Sequence, residues 1–170
     1  MPTTAVFPGT FDPVTLGHQD LIDRSARMFD RVVVAVAAGH HKKTMFTLDE
    51  RVAMVHEVTR KLRNLQVQTF DGLMNEFVLG LAPARNRKGG DHKVVVRGVR
   101  GSVDFDYEIQ LAGMNRERHA SIETVFLMPN VAWQFLSSSR VREISTLGGD
   151  VSKWVAPGVA KRVQAKLRAR

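Results

Sequence analysis

Short apolar runs alternate with longer amphipathic stretches along this chain. Residues 5–7, 32–37, 65–69, 94–96 and 124–128 read as strands, several of them rich in Val, as strands covered on both faces are. Between them, spaced apolar positions predict helices over 19–28, 48–62, 73–81 and 102–119, and Thr47 with Glu50 forms a capping-box pattern ahead of the second. A further segment near 157–169 places Val159, Val163 and Leu167 on one helical face. Strand–helix alternation of this kind predicts an α/β fold with a parallel sheet. No internal repeat or low-complexity tract interrupts it.

In an open parallel sheet, ligands bind beyond the carboxyl ends of the strands. The unusual residues stand there: 8–18 after the first strand, Gly39-His40-His41-Lys42-Lys43 after the second, and Phe70-Asp71-Gly72-Leu73-Met74 after the third. Arg97-Gly98-Val99-Arg100 follows the fourth strand and 129–139 the fifth. Neither a Gly-x-Gly-x-x-Gly fingerprint nor a Gly-x-x-x-x-Gly-Lys-Ser/Thr loop occurs, which argues against ordinary dinucleotide binding and P-loop chemistry. The run Pro8-Gly9-Thr10-Phe11-Asp12-Pro13-Val14-Thr15-Leu16-Gly17-His18 offers another way to hold phosphate. A turn between strand and helix exposes unpaired N–H groups at the positive end of the helix dipole. Gly9 and Gly17 permit close approach, and His18 adds a donor that can be aimed at developing charge.

At 170 residues and 44% hydrophobic, the chain suits one well-buried domain over 1–170. The absence of cysteine excludes disulfides and thiolate chemistry. No basic region followed by an apolar stretch opens the chain, and no run approaches a membrane span, so a soluble, cytoplasmic protein is expected. The net charge of +8 and pI near 10.4 favour anionic partners without choosing among them. Much of the excess lies in 85–93 and in the tail 161–170, and for the tail a solvated helix face is the simpler reading than RNA binding.

Each candidate has a plain reading beside the chemical one. Lys42 and Lys43 could be an exposed loop pair. Arg97 could meet any surface acid, yet Arg-x-x-Arg directly after a Val-rich strand suits a planar fork presented to phosphate. Ser137, Ser138 and Ser139 could simply cap the helix before Val141 and Ile144, but such a cap also leaves amides and hydroxyls for an anion. Trp133 reads as packing by composition. His40 and His41 lack a neighbouring carboxylate to complete a metal site, and no metal ligand is named.

Thr15-Leu16-Gly17-His18 resembles the Thr/His-x-Gly-His motif of the nucleotidyltransferase superfamily, and Leu136-Ser137-Ser138-Ser139-Arg140-Val141-Arg142 resembles its Ile-Ser-Ser-Thr-x-x-Arg/Lys element. With Lys42-Lys43, Arg97 to Arg100, Asp104-Phe105-Asp106-Tyr107-Glu108 and Met114-Asn115-Arg116, the likeness is to the phosphopantetheine adenylyltransferases. That resemblance implies a Rossmann-like parallel five-stranded sheet with helices on both faces. It implies adenylyl transfer from ATP to 4′-phosphopantetheine, giving dephospho-coenzyme A and pyrophosphate without a covalent enzyme intermediate. It makes His18 catalytic and puts Thr10, Lys42, Met74 and Arg97 on the acceptor. It puts Thr10, Phe11, His18, Gly98, Val99, Arg100, Glu108 and the run Trp133, Gln134, Phe135, Leu136, Ser137, Ser138, Ser139 on ATP. Mg2+ would arrive with ATP, held largely by substrate oxygens and water. A homohexamer is the family's assembly, with no nucleic acid or membrane partner.

Leu136 and Ser139 stand where the motif has Ile and Thr, and residues 83–92 lengthen the link to Arg97, reading as a mobile insertion rich in Gly, Pro and charge. A relative acting on nicotinamide mononucleotide or a polyol phosphate would share both ATP motifs and differ at Lys42, Met74 and Arg97. An RNA-binding module is the non-enzyme alternative.

Overall fold

A computed structural model describes residues 2–39, 43–83 and 91–169. Its centre is a sheet of five parallel strands: β1 (Thr3–Gly9), β2 (Arg31–Ala37), β3 (Leu65–Phe70), β4 (His92–Gly98) and β5 (Glu123–Leu127), in the order β3-β2-β1-β4-β5. The helices are α1 (Leu16–Met28), α2 (Leu48–Thr59), α3 (Met74–Gly80), α4 (Ser102–Arg118), α5 (Ser138–Thr146) and α6 (Pro157–Arg168).

The Val-rich runs become strands because both sheet faces are covered. Alternate residues serve opposite faces. Val32, Val34 and Val36 join Ala5, Phe7, Ile22, Val55 and Val159 in the larger core, while Val33 and Ala35 join Val6, Val78, Val95 and Ile122 in the smaller one. Burial on both sides explains why β2 shows no polar alternation. In α6, Val159 and Val163 are buried and Leu167 packs beside them.

The element boundaries depart from the sequence pattern in two informative places. Helix α1 begins at Leu16, three residues before the apolar periodicity starts, because Thr15 caps it and His18 completes a capping box. Residue 92 opens β4 instead of ending an insertion, and residues 84–90 lie outside the described residues. Among the described residues no helix is long and apolar enough to cross a membrane.

The first three strands run outward from β1 on one side, and the chain then returns to place β4 on the other. Adjacent loops after β1 and β4 therefore diverge, leaving a crevice at their carboxyl ends.

Candidate active site

The loop after β1 is built around His18. The Thr15 amide donates to His18 Nδ1 at 3.1 Å, and the His18 amide donates to the Thr15 hydroxyl at 3.3 Å. Because Nδ1 accepts, the neutral ring carries its proton on Nε2. Phe11 is buried beneath the ring, edge to face at 5.2 Å between centroids. Burial, followed by the nearby Arg100 charge, lowers the His18 pKa to about 4, so the ring is neutral near pH 7.

Gly9 has to be a glycine for this packing, since a Cβ there would lie 2.8 Å from Phe11 Cζ. Gly17 brings α1 against the turn at Trp133, with space for a Cβ only at ordinary contact, 3.5 Å from Trp133 Cβ.

The two sequence motifs meet in space. Ser138 donates to the Pro13 carbonyl at 2.8 Å, and Arg142 donates to the Asp12 carbonyl while lying 3.5 Å from its carboxylate. Asp12 in turn accepts from the amides of Met45 and Phe46 at 2.8 and 2.9 Å, anchoring the far end of the loop after β2. Ser137 caps α5 through the Arg140 amide.

Two cavities open on this rim. One, of about 180 Å³, is bounded by Gly17, His18, Gly98, Arg100, Trp133 and the Leu136–Ser138 stretch. The other, of about 510 Å³, is bounded by Thr10, Arg97, Glu108, Met74 and the α4 residues Leu111, Ala112 and Asn115. His18 and Gly98 line both. The imidazole thus stands where the two spaces adjoin.

A cytidylyltransferase-like family model matches residues 6–144. A phosphopantetheine adenylyltransferase from Acidovorax sp. (strain JS42) is 54% identical over 163 residues, covering 96% of this chain and 93% of that protein. The chain belongs to the phosphopantetheine adenylyltransferase family. It is therefore an enzyme of the nucleotidyltransferase class. Family members from Bordetella avium (strain 197N) and Thiobacillus denitrificans are 50% and 48% identical over 98% and 97% of this chain, and 95% and 98% of their own lengths. A crystal structure of a Vibrio parahaemolyticus protein assigned as a nicotinate-nucleotide adenylyltransferase superposes with a TM-score of 0.62 over 99% of this chain and 93% of that one. At 18% identity that likeness shows the fold.

In this phosphopantetheine adenylyltransferase family member, the residues named from the sequence fall into distinct positions. Arg97 forms a two-point ion pair with Glu108, Nε to Oε2 at 2.7 Å, and its third contact is the Pro8 carbonyl at 3.3 Å. Glu108, expected on ATP, thus lies on the Arg97 side, in the larger cavity. Arg100 is held by Asp104 at 2.7 Å and donates to the Leu136 carbonyl at 3.2 Å, and this pairing holds the Asp104 carboxyl below its usual range. Val99 is buried, its amide bonded to Leu127, and Phe11 is likewise buried, so neither side chain lines a cavity. Phe135 is exposed, Gln134 half-buried, and neither lines the two cavities. Ser139 sits farther out, beside Lys43 and Arg142. Lys42 and the His40–His41 pair lie outside the described residues.

Of the wall contributed by α4, the sequence reading named Glu108 and missed Leu111, Ala112 and Asn115. These follow it at i+3, i+4 and i+7, and that helical stripe was the available signal. Asp12 and Arg142 were also passed over as supports; each acts on a backbone group of another loop, which no local pattern reveals.

Proposed function

We propose that the enzyme transfers the adenylyl group of ATP to the phosphate of 4′-phosphopantetheine, releasing dephospho-coenzyme A and pyrophosphate. The observation that carries this reading is His18 on the shared wall of two cavities, one bordered by Arg100 and the Ser137–Ser138 cap, the other by Arg97, Thr10 and Met74. Family names borne by relatives at 47–54% identity over nearly the whole chain support the substrate pair.

The acceptor phosphate is already ionised at neutral pH and needs no general base. One of its oxygens attacks the α-phosphorus, the bond from that phosphorus to the β-bridging oxygen breaks, and pyrophosphate leaves with the electron pair. Catalysis is then alignment of two polyanions and neutralisation of charge. His18, neutral and protonated on Nε2, donates to the α-phosphate oxygens as charge grows on them. The Ser-rich start of α5 and Arg100 hold the departing phosphates, and Arg97 with Thr10 holds the incoming one. Lys42 joins them as an acceptor contact. Met74, Leu111 and Ala112 supply apolar surface for the pantetheine arm, and Asn115 an amide to match its own.

Mg2+ would be carried on the triphosphate, where it would neutralise phosphate charge. The enzyme works in the cytoplasm as a homo-oligomer of hexameric type. α4 buries none of its residues, and Val103, Tyr107 and Met114 are exposed along it, an apolar surface suited to a second copy.

A coupled pyrophosphate-release assay with ATP and a panel of phosphorylated acceptors tests the reading. Turnover with 4′-phosphopantetheine far above that with nicotinamide mononucleotide or polyol phosphates is expected. Robust turnover with the nicotinamide acceptor alone overturns it.

A further inference from the structure

Arg51, in the first turn of α2, is the largest fully buried side chain of the described residues, at 1% exposure. Burying a guanidinium is costly unless its donors are met. Here three carbonyl oxygens meet the Nη groups, while the buried Nε has no partner among the described residues. Nη1 donates to Thr10 at 2.8 Å and to Ala37 at 2.7 Å, and Nη2 donates to Ala38 at 3.1 Å, with Asp12 adding attraction through space.

The location of these carbonyls is informative. The β1–β2 ladder ends with the pair Gly9 and Val36. Thr10 and Ala37 are the next residues on each strand, where the following rung would fall. In its place Nη1 of Arg51 donates to both carbonyls, so the two strand ends stay tied through one nitrogen. Both Thr10 and Ala37 line the larger cavity. The next residue, Phe11, has a φ of +51°, a left-handed conformation that a non-glycine residue keeps only when its surroundings enforce it.

We infer that Arg51 is a positioning residue for the acceptor cavity: its Nη1 replaces the missing rung beyond Gly9 and Val36 and ties Thr10 to Ala37 across the opening, with Nη2 holding Ala38 beside them. It does so from behind the wall and touches no substrate. The identity of the acceptor rests on the reading given under Proposed function; the tie between the strand ends does not.

Arg51→Lys keeps the charge but offers a single nitrogen, which cannot stand in for both Nη1 at Thr10 and Ala37 and Nη2 at Ala38. Amide hydrogen exchange at Phe11, Asp12 and Ala38 should quicken in this variant while the centre of β1 stays protected. The 4′-phosphopantetheine KM should rise about tenfold or more, with the ATP KM within about twofold, since charge-assisted bonds govern only the acceptor wall. Unchanged exchange at those amides overturns the inference. So does a fall in kcat with both KM values intact, which is the mark of fewer folded molecules. Wild-type enzyme inactive on 4′-phosphopantetheine defeats the substrate reading instead, and the exchange comparison still decides the role of Arg51. A measurement without any variant guards against a misfolded one: the Arg51 Nη resonances of the wild type should shift on acceptor binding and stay fixed with ATP alone, and the absence of an acceptor-dependent shift overturns the inference.

Discussion

The Thr15 amide donates to Nδ1 of His18, and the His18 amide returns a bond to the Thr15 hydroxyl. One capping box therefore starts a helix and selects a tautomer at once. A histidine placed there by any other means would be free to carry its proton on either nitrogen.

This relationship predicts a pH response. The folded-state pKa of His18, about 4, lies below the ordinary 6.5, so the folded protein binds fewer protons than the unfolded chain between those values. The stability contributed by keeping the ring neutral is complete above about 6.5 and is lost as pH falls toward 4. Long-range 15N NMR should show His18 as the Nε2–H tautomer, without titration between about pH 8 and 5.5. A mid-point near 6.5 would contradict the buried, neutral assignment.

His18→Ala should lower kcat by about 10²- to 10³-fold while the ATP dissociation constant changes much less, because the bond strengthens only as charge develops. Single-turnover kinetics with calorimetric ATP titration separates the two. Equal losses in binding and turnover would make His18 a ground-state contact.

Asp12 is buried to 1% exposure, and its carboxylate accepts from two amides of the neighbouring loop. Asp12→Ala leaves both amides unpaired, and Arg142 loses its nearby counter-charge. Urea denaturation should register a loss of about 3 kcal/mol. A loss under about 1 kcal/mol would mean that the loop anchors itself by other contacts.

Glu108 aims Arg97 through its two-point pair. Glu108→Gln should therefore raise the acceptor KM by about tenfold and leave the ATP KM within about twofold. A change confined to the ATP KM would make Glu108 a nucleotide contact and not the support of Arg97.

Much of the fold was legible because the strands are buried on both faces: five apolar runs became five strands, within two residues at every end. The start of α1 was not, since Leu16-Gly17-His18 carries no apolar period and its helical state comes from a cap. The cavity-lining residues His18, Ser137 and Ser138 could be named because glycine, histidine and serine clusters after strands have few structural uses. Their supports could not. Arg51 reads as an ordinary charged helix position, and only the ending of the β1–β2 ladder gives it a task. The pairing of Glu108 with Arg97 was also hidden, because it joins a helix to a strand end eleven residues earlier.

The central claim is that the two cavities sharing His18 bring ATP and acceptor together for one direct displacement. ATP made chiral at the α-phosphorus with sulfur and oxygen isotopes tests it most directly. Inversion of configuration in the dephospho-coenzyme A product is the predicted result. Retention, the outcome of two successive displacements through an adenylylated side chain, would contradict it.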